Sequence, residues 1–236
     1  LGTYEPYDLV VGADGFRSRV RDLVFLAGES STVHLGCHAA AYVIPKSRAS
    51  FPRDALVSMS GVGFTAAAYS LADGSVATFF AHRARGWIED RASRACRHEL
   101  ESVYRGRGHI LDGLLDSFPG DGDLYFDDVV QIRTLRWSDA RVVLVGDAAG
   151  CASLLAGQGA SLAMVGARVL AAELARRPSD VSGALDAYEA RASSHRSAPA
   201  SGGAQCDLVL TANAPGCEWW RRSDLALGAI RAAGRA

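Results

Sequence analysis

Residues 141–167 read RVVLVGDAAGCASLLAGQGASLAMVGA, a run with few solutions in three dimensions. Arg141 to Gly146 is a continuous apolar, β-branched stretch of the kind that forms a buried strand. It delivers Asp147 to the carboxyl edge of a sheet. A glycine-rich loop, Asp147 to Gly159, then leads into a helix expected from about Ala160 to Arg176, with Leu162, Val165, Val169, Leu170 and Leu174 as its inward stripe and Pro178 as its stop. An acidic residue at such an edge can accept hydrogen bonds from ribityl or ribose hydroxyls, and a helix N-terminus there can stabilise negative charge on a ring. Gly157 and Gly159 permit the backbone to come close to a planar ligand. The plainer alternative is an ordinary strand-loop-helix crossover. Ala148 to Ala167 is also uncharged and long enough to cross a bilayer, but four glycines with Ser153, Gln158 and Ser161 argue against insertion.

A second strand-turn-helix pattern opens the chain. Tyr7 to Ala13 reads as a buried strand, Asp14-Gly15 as a tight turn, and the following segment as a helix with Phe16, Val20, Leu23 and Val24 at helical spacing. This edge carries a carboxylate, exposed backbone amides, Ser18 and Arg21, a set that can hold a pyrophosphate. Read from periodicity alone, Asp14-Gly15 is as well explained by a simple turn and the arginines by a solvated helix face.

Between these α/β pieces the pattern becomes antiparallel. Strands are expected over His34 to Val43, Ala55 to Ser60, Phe64 to Leu71 and Ser75 to His82, with turn signals between them. Gly61 to Ala66 spells GxGxxA, but a strand rather than a helix follows it, so it reads as a hairpin and not as a nucleotide loop. Asp90 to Phe118 is helical in character, broken at Gly106 and Gly108. Leu124 to Thr134 is a further strand, and the acidic run Asp121 to Asp128 reads as surface loop. Asp186 to Arg191 suggests another helix, Ala192 to Ala204 a linker, and the tail a helix after Asp224.

Lys plus Arg total 25 against 26 for Asp plus Glu, so no net field draws the chain to nucleic acid or to an anionic membrane. Five cysteines without a CxxC pair read as free thiols in a reducing, cytoplasmic setting, and no signal peptide is visible. His34, Cys37 and His38 lie together on a strand whose successive side chains point to opposite faces, so no metal site is expected there.

The two constellations resemble the paired motifs of the FAD-dependent aromatic hydroxylases, the para-hydroxybenzoate hydroxylase-like class A flavoprotein monooxygenases. Asp14, Gly15, Ser18 and Arg21 match the family's Asp-Gly motif. Gly146, Asp147, Ala148 and Ala149 match its Gly-Asp motif, and Gly157, Gln158 and Gly159 match its glycine turn. YFDDVVQIRTLRWSDARVVLVGDAA resembles the strand, tryptophan-bearing turn and strand that lead into the second motif, so the likeness runs from residue 1 to about 190. The resemblance implies that Asp147 bonds the ribityl or pyrophosphate region of FAD, and that the backbone from Gly157 through Ala160 to Ser161 faces the flavin. It also implies that Asp14, held by Arg21, supports the pyrophosphate and pyridine-nucleotide side. Gln131 and Arg133 are candidates to face the substrate. Three departures stand out: Leu154 where the family has proline, Gly150 where many hydroxylases have histidine, and no amino-terminal βαβ unit with GxGxxG, a unit of ~30 residues that would precede Leu1.

The expected fold is α/β: the carboxy-terminal part of an FAD-binding, Rossmann-like domain interrupted by a largely antiparallel substrate-domain sheet. Residues 1–30 and 136–190 would supply the FAD-domain pieces, 31–135 the sheet and its helices, and 191–236 a terminal loop and helix. The function implied is an FAD- and NAD(P)H-dependent monooxygenase acting on an aromatic or polyketide-like small molecule, present as a fragment or as half of a split enzyme. A separate chain could supply the GxGxxG unit. The alternatives are a flavin-dependent reductase or halogenase of the same superfamily, suggested by Gly150, and a non-catalytic remnant. No side chain of this chain is assigned a catalytic role.

Overall fold

The computed structural model describes residues 5–26, 28–48 and 51–192 of the 236. The linker expected beyond Ala192 and the helix expected after Asp224 lie outside the described residues. In chain order the elements are β1 (Val10–Gly12), α1 (Arg19–Val24), β2 (Ser30–Ile44), β3 (Leu56–Gly61), β4 (Phe64–Ser70), β5 (Val76–Arg83), α2 (Ser93–Tyr104), α3 (His109–Asp116), β6 (Tyr125–Thr134), β7 (Ser138–Asp139), β8 (Val142–Leu144), α4 (Gly159–Arg176) and α5 (Val181–Ala192). They divide into two compact units, one from residues 5–35 with 129–192 and one from residues 36–128.

In the first unit β1 runs parallel to β8, with Val10 opposite Val142 and Gly12 opposite Leu144, and β7 pairs antiparallel with β8 on its other side. The core gathers Val143, Leu144 and Val145 with Trp137, Leu170, Leu185 and Tyr188. The Tyr188 hydroxyl donates to the Leu144 carbonyl at 3.0 Å and so fixes α5 against β8. Two expectations fail here for one reason. The strand expected over Tyr7 to Ala13 is only three residues long, with Val10 41% and Val11 45% exposed. Of the five-residue stripe expected on α4, Leu170 alone is buried, and Val165 is 44% exposed. An apolar run that a wide parallel sheet would cover on both faces stays open when it forms the edge of a three-stranded one. The second buried residue of α4 is Glu173, whose carboxylate accepts from Arg176 and Arg177 one turn on and pairs with Arg191 of α5 at 2.7 Å.

The second unit holds the antiparallel strands, in the sheet order β3-β4-β5-β2-β6. Strand alternation is clean in β4, where Phe64, Ala66 and Ala68 face inward. The GxGxxA segment is the β3-β4 hairpin, with Gly61 opposite Phe64 and Gly63 at φ 79°. Helices α2 and α3 cover this face, and Leu100, Tyr104, Leu111, Leu114 and Leu115 meet Tyr42, Phe64 and Phe80. The Tyr42 hydroxyl donates to the Leu114 carbonyl at 3.0 Å. The acidic run Asp121 to Asp128 is not all surface loop, because β6 begins at Tyr125 and buries Asp127 and Asp128. The Arg91 guanidinium reaches both carboxylates, at 3.0 and 2.5 Å, which is what burial of two adjacent charges requires.

Cys96 and Cys151 are free thiols, whereas Cys37 is disulfide-bonded, against the expectation of free thiols throughout. No helix among the described residues is long and apolar enough to cross a membrane.

Candidate cofactor site

The second motif folds in three steps after β8. Gly146 adopts φ +60°, and a Cβ there would stand 3.2 Å from the Ala163 Cβ, so both the backbone conformation and the approach of α4 call for glycine. A short 3-10 turn, Gly146–Ala148, then carries Asp147 outward. A second, Leu154–Ala156, is capped by Ser153, whose hydroxyl accepts from the Leu155 amide at 3.1 Å, and it closes on Gly157 at φ 65°. Helix α4 starts at Gly159. Its N-cap residue Gln158 makes no side-chain cap and its first turn carries no acid, so the positive end of this 18-residue helix is not spent by its own first residues. A Cβ at Gly159 would lie 3.5 Å from Asp147 Oδ1, which puts the helix start beside the carboxylate.

The Asp14 carboxylate accepts from the amides of Arg19 at 2.8 Å and Val20 at 3.1 Å, capping α1. Burial pushes this carboxyl up, but the Ser18 hydroxyl and the backbone amides outweigh it and hold it below the ordinary carboxylate range. Ser18 is the formal N-cap and accepts from the Arg21 amide at 2.9 Å. Arg21 is 4% exposed, and its guanidinium donates to the Phe16 carbonyl at 2.7 Å and to the Ala148 carbonyl at 3.1 Å. One buried arginine thus ties the Asp-Gly segment to the Gly-Asp segment across 127 residues of sequence.

These contacts bring both motifs to one open groove of ≈ 560 Å³, lined by Ala13, Gly15, Gly146, Asp147, Gly159 and Ala160 among others. Asp14, Ser18, Arg21 and Ala148 brace the groove from outside its lining. Gly157, Gln158 and Ser161 are exposed and also stand outside it. A second cavity of ≈ 360 Å³ shares Gly146, Asp147 and Gly159 and continues to Arg133, Trp137 and Gly150. A Cβ at Gly150 would be in ordinary contact with the Trp137 ring at 3.7 Å and the Ile132 carbonyl at 3.8 Å. Of the two substrate-facing candidates Arg133 lines this second cavity and Gln131 does not. Gln131 is fully buried, and its amide oxygen accepts from Arg133 Nε at 2.7 Å.

Sequence reasoning missed Cys151 as a partner of Asp147. Burial pushes its thiol up to about 12, the Asp147 charge adds to the shift, and the neutral thiol hydrogen-bonds to that carboxylate. The four-residue spacing on a tight turn was the available signal.

Residues 125–200 match the FAD binding domain family. A flavin-dependent monooxygenase from an unknown prokaryotic organism is 35% identical over 188 residues, covering 79% of this chain and 48% of that protein. The chain is thus similar to flavin-dependent monooxygenases and carries a match to the FAD binding domain family. A second relative, the flavin-dependent monooxygenase of Legionella longbeachae serogroup 1 (strain NSW150), is 33% identical over 181 residues, covering 73% of this chain and 44% of its own. Among solved structures, tetracycline destructase Tet(55) superposes with a TM-score of 0.78 at 27% identity, over 100% of this chain and 63% of that one. The chain spans about half the length of the curated relatives it matches. The hydroxylase fold is therefore present as a partial FAD-binding domain with its antiparallel sheet.

The residues present fit part of FAD. An uncapped helix N-terminus suits a site of negative charge, a half-buried carboxylate beside it suits hydroxyl donors, and a Cβ at Gly15 would meet nothing within 4 Å, leaving the groove wall bare where backbone must approach a ligand.

Proposed function

We propose that the protein to which this chain belongs is an FAD-dependent monooxygenase that draws electrons from NAD(P)H and hydroxylates an aromatic or polyketide-like small molecule. The observation that carries the reading is the single groove shared by Gly15, Gly146, Asp147, Gly159 and Ala160. FAD, when bound, supplies the electron transfer and dioxygen activation that no side chain offers. The chain's own residues bind and orient it. Asp147, steered by the Cys151 thiol, would accept from the ribityl hydroxyls. The amides of Gly159, Ala160 and Ser161 would stabilise negative charge on the reduced ring. Gly157 and Gln158 would shape the approach to that helix start. On the other wall, the Gly15 backbone would hold the pyrophosphate, and Asp14, Ser18 and Arg21 keep that turn in place. Arg133 turns a cationic group toward the second cavity, where an electron-rich aromatic substrate with an acidic hydroxyl would be held.

Two observations favour further readings. Gly150, where many hydroxylases have histidine, favours a flavin reductase or halogenase of the same superfamily. The open edge of β1 favours a chain that holds FAD only when a GxGxxG-bearing segment, from the same polypeptide or a separate one, adds strands beside it. Titration of the 236-residue chain with FAD, followed by flavin fluorescence, separates these. Asp147→Ala is expected to weaken FAD at least tenfold with an unchanged melting midpoint, and an unchanged affinity would count against the site. Stoichiometric FAD with NAD(P)H-dependent oxygen incorporation supports the monooxygenase, NAD(P)H consumption without oxygenation supports the reductase, no uptake by the chain alone that is restored by adding a GxGxxG-bearing segment supports the second reading, and no uptake in either setting supports a non-catalytic remnant.

A further inference from the structure

The antiparallel unit contains a cluster that the flavin chemistry does not use. The register of β2 against β5 sets His38 opposite His82, and both rings point toward Glu99 on α2. His38 Nδ1 lies 2.6 Å and His82 Nε2 lies 2.8 Å from the same oxygen, Glu99 Oε1. Both histidines are buried, at 6% and 1% exposure, while the Glu99 side chain is 35% exposed and connects the cluster to solvent. We propose that His38 Nδ1, His82 Nε2 and Glu99 Oε1 form a binding site for a divalent transition metal of the zinc class, with solvent in the fourth position.

The donor set and its surroundings carry the inference. Two imidazoles and one carboxylate, their ligating atoms all within 4.8 Å of one another, suit zinc or cobalt and not magnesium or calcium. Metal-bound histidines need the remote ring nitrogen to donate to a fixed acceptor, which selects the tautomer and holds the ring. His38 Nε2 faces the Gly86 carbonyl at 3.0 Å and the Asp128 carboxylate at 3.4 Å. Asp128 is itself held by Arg91 and by the Ile88 amide. His82 Nδ1 faces the Tyr104 hydroxyl at 3.4 Å, and that hydroxyl donates to the Thr65 carbonyl, leaving its oxygen free to accept. Both rings are therefore oriented so that the nitrogen facing Glu99 can present a lone pair while the other keeps its proton. A bound ion would take the place of the proton in each of the two short contacts and widen them by about 0.5–0.8 Å, given metal-ligand bonds of about 2.0–2.2 Å. The half-exposed Glu99 side chain has the freedom to make that adjustment. The bound ion would join α2 to the middle of the sheet.

Cobalt(II) titration of the metal-depleted, full 236-residue chain tests this, with the visible ligand-field bands as readout. One ion per chain with tetrahedral nitrogen/oxygen bands, displaced by zinc, is the expected result. Glu99→Gln and His82→Gln should each weaken binding at least a hundredfold, and Cys96→Ser, which removes the nearest thiol on α2, should leave the spectrum unchanged. Should His82→Gln fail to fold, the half-exposed Glu99→Gln decides alone. Absence of bands in the native chain, or equal bands in both variants, overturns the proposal and leaves the cluster as a hydrogen-bonded bracket between helix and sheet.

Discussion

The two units bury their apolar residues by different rules. In the antiparallel unit β4 alternates without fault, and two helices close over Tyr42, Phe64, Phe80 and Tyr104, whose rings meet edge-on or stacked at 4.9–5.6 Å. In the cofactor unit the strands are short, β1 leaves Val10 and Val11 in solvent, and α4 buries an apolar residue at Leu170 and a carboxylate at Glu173. Both bodies have an apolar core, but around the thin sheet of the cofactor unit long-range polar ties complete the packing: Arg21 to two carbonyls, Tyr188 to Leu144, Glu173 to three arginines. The difference matters because the ligand groove lies in the second kind of body. Bare backbone and uncapped amides are what a cofactor needs, and they are also what a finished hydrophobic core would have removed.

That contrast can be broken most directly at Phe80. Its ring is fully buried between Tyr42 and Tyr104, so Phe80→Ala should cost about 3–5 kcal/mol of unfolding free energy by lost transfer and by the cavity left behind. Urea unfolding followed by circular dichroism measures it, and a loss below about 1 kcal/mol would show that the antiparallel core is not what holds this unit. The matching test in the cofactor unit is Arg21→Met. It preserves bulk but leaves the Phe16 and Ala148 carbonyls without their charged donor, at a cost of about 2–3 kcal/mol. FAD affinity should fall with it, because the two motifs lose their tie. Retained FAD affinity with reduced stability would show that the groove keeps its shape without the arginine.

Much of this was legible in the sequence, and unevenly so. The antiparallel strands and both helices between Asp90 and Phe118 were readable because alternation and turn glycines such as Gly63, Gly106 and Gly108 are local signals. The two strand-loop-helix segments were readable because strand, loop and helix follow one another within 35 residues or fewer. Burial was not readable. Val10, Val11 and Val165 carry the pattern of core residues, and only the number of neighbouring strands decides whether they become core. Asp127 and Asp128 look like loop acids until Arg91, 36 residues away, is seen to reach them. The pairing of His38 with His82 and Glu99 depends on register and helix placement together, and no local spacing announces it.

Smaller effects sharpen the comparison at α1. Asp14→Ala and Ser18→Ala each remove an acceptor from the helix N-terminus and should cost about 1 kcal/mol. Because the Asp14 carboxyl is held below its unfolded range, its contribution is fully present above about pH 4 and is lost as pH falls through the lower, folded value. Acid titration of native and Asp14→Asn chains should therefore give parallel stability curves above that point and convergent ones below it. Curves that stay parallel into acid would mean that the carboxylate caps nothing.

The smallest expected change is the most informative about β1. Val10→Thr and Val11→Thr alter side chains already 41% and 45% exposed, so each should move the stability of this chain by no more than about 0.5 kcal/mol. The same substitutions made in a longer protein that places strands beside β1 should each cost about 1–3 kcal/mol, because there the valines would be taken out of water. Equal, near-zero costs in both settings would mean that nothing packs on this edge even in the longer protein, and the open wall of the groove would then belong to the working enzyme. A larger cost in the longer protein would instead make the edge the surface on which the rest of the cofactor domain is built.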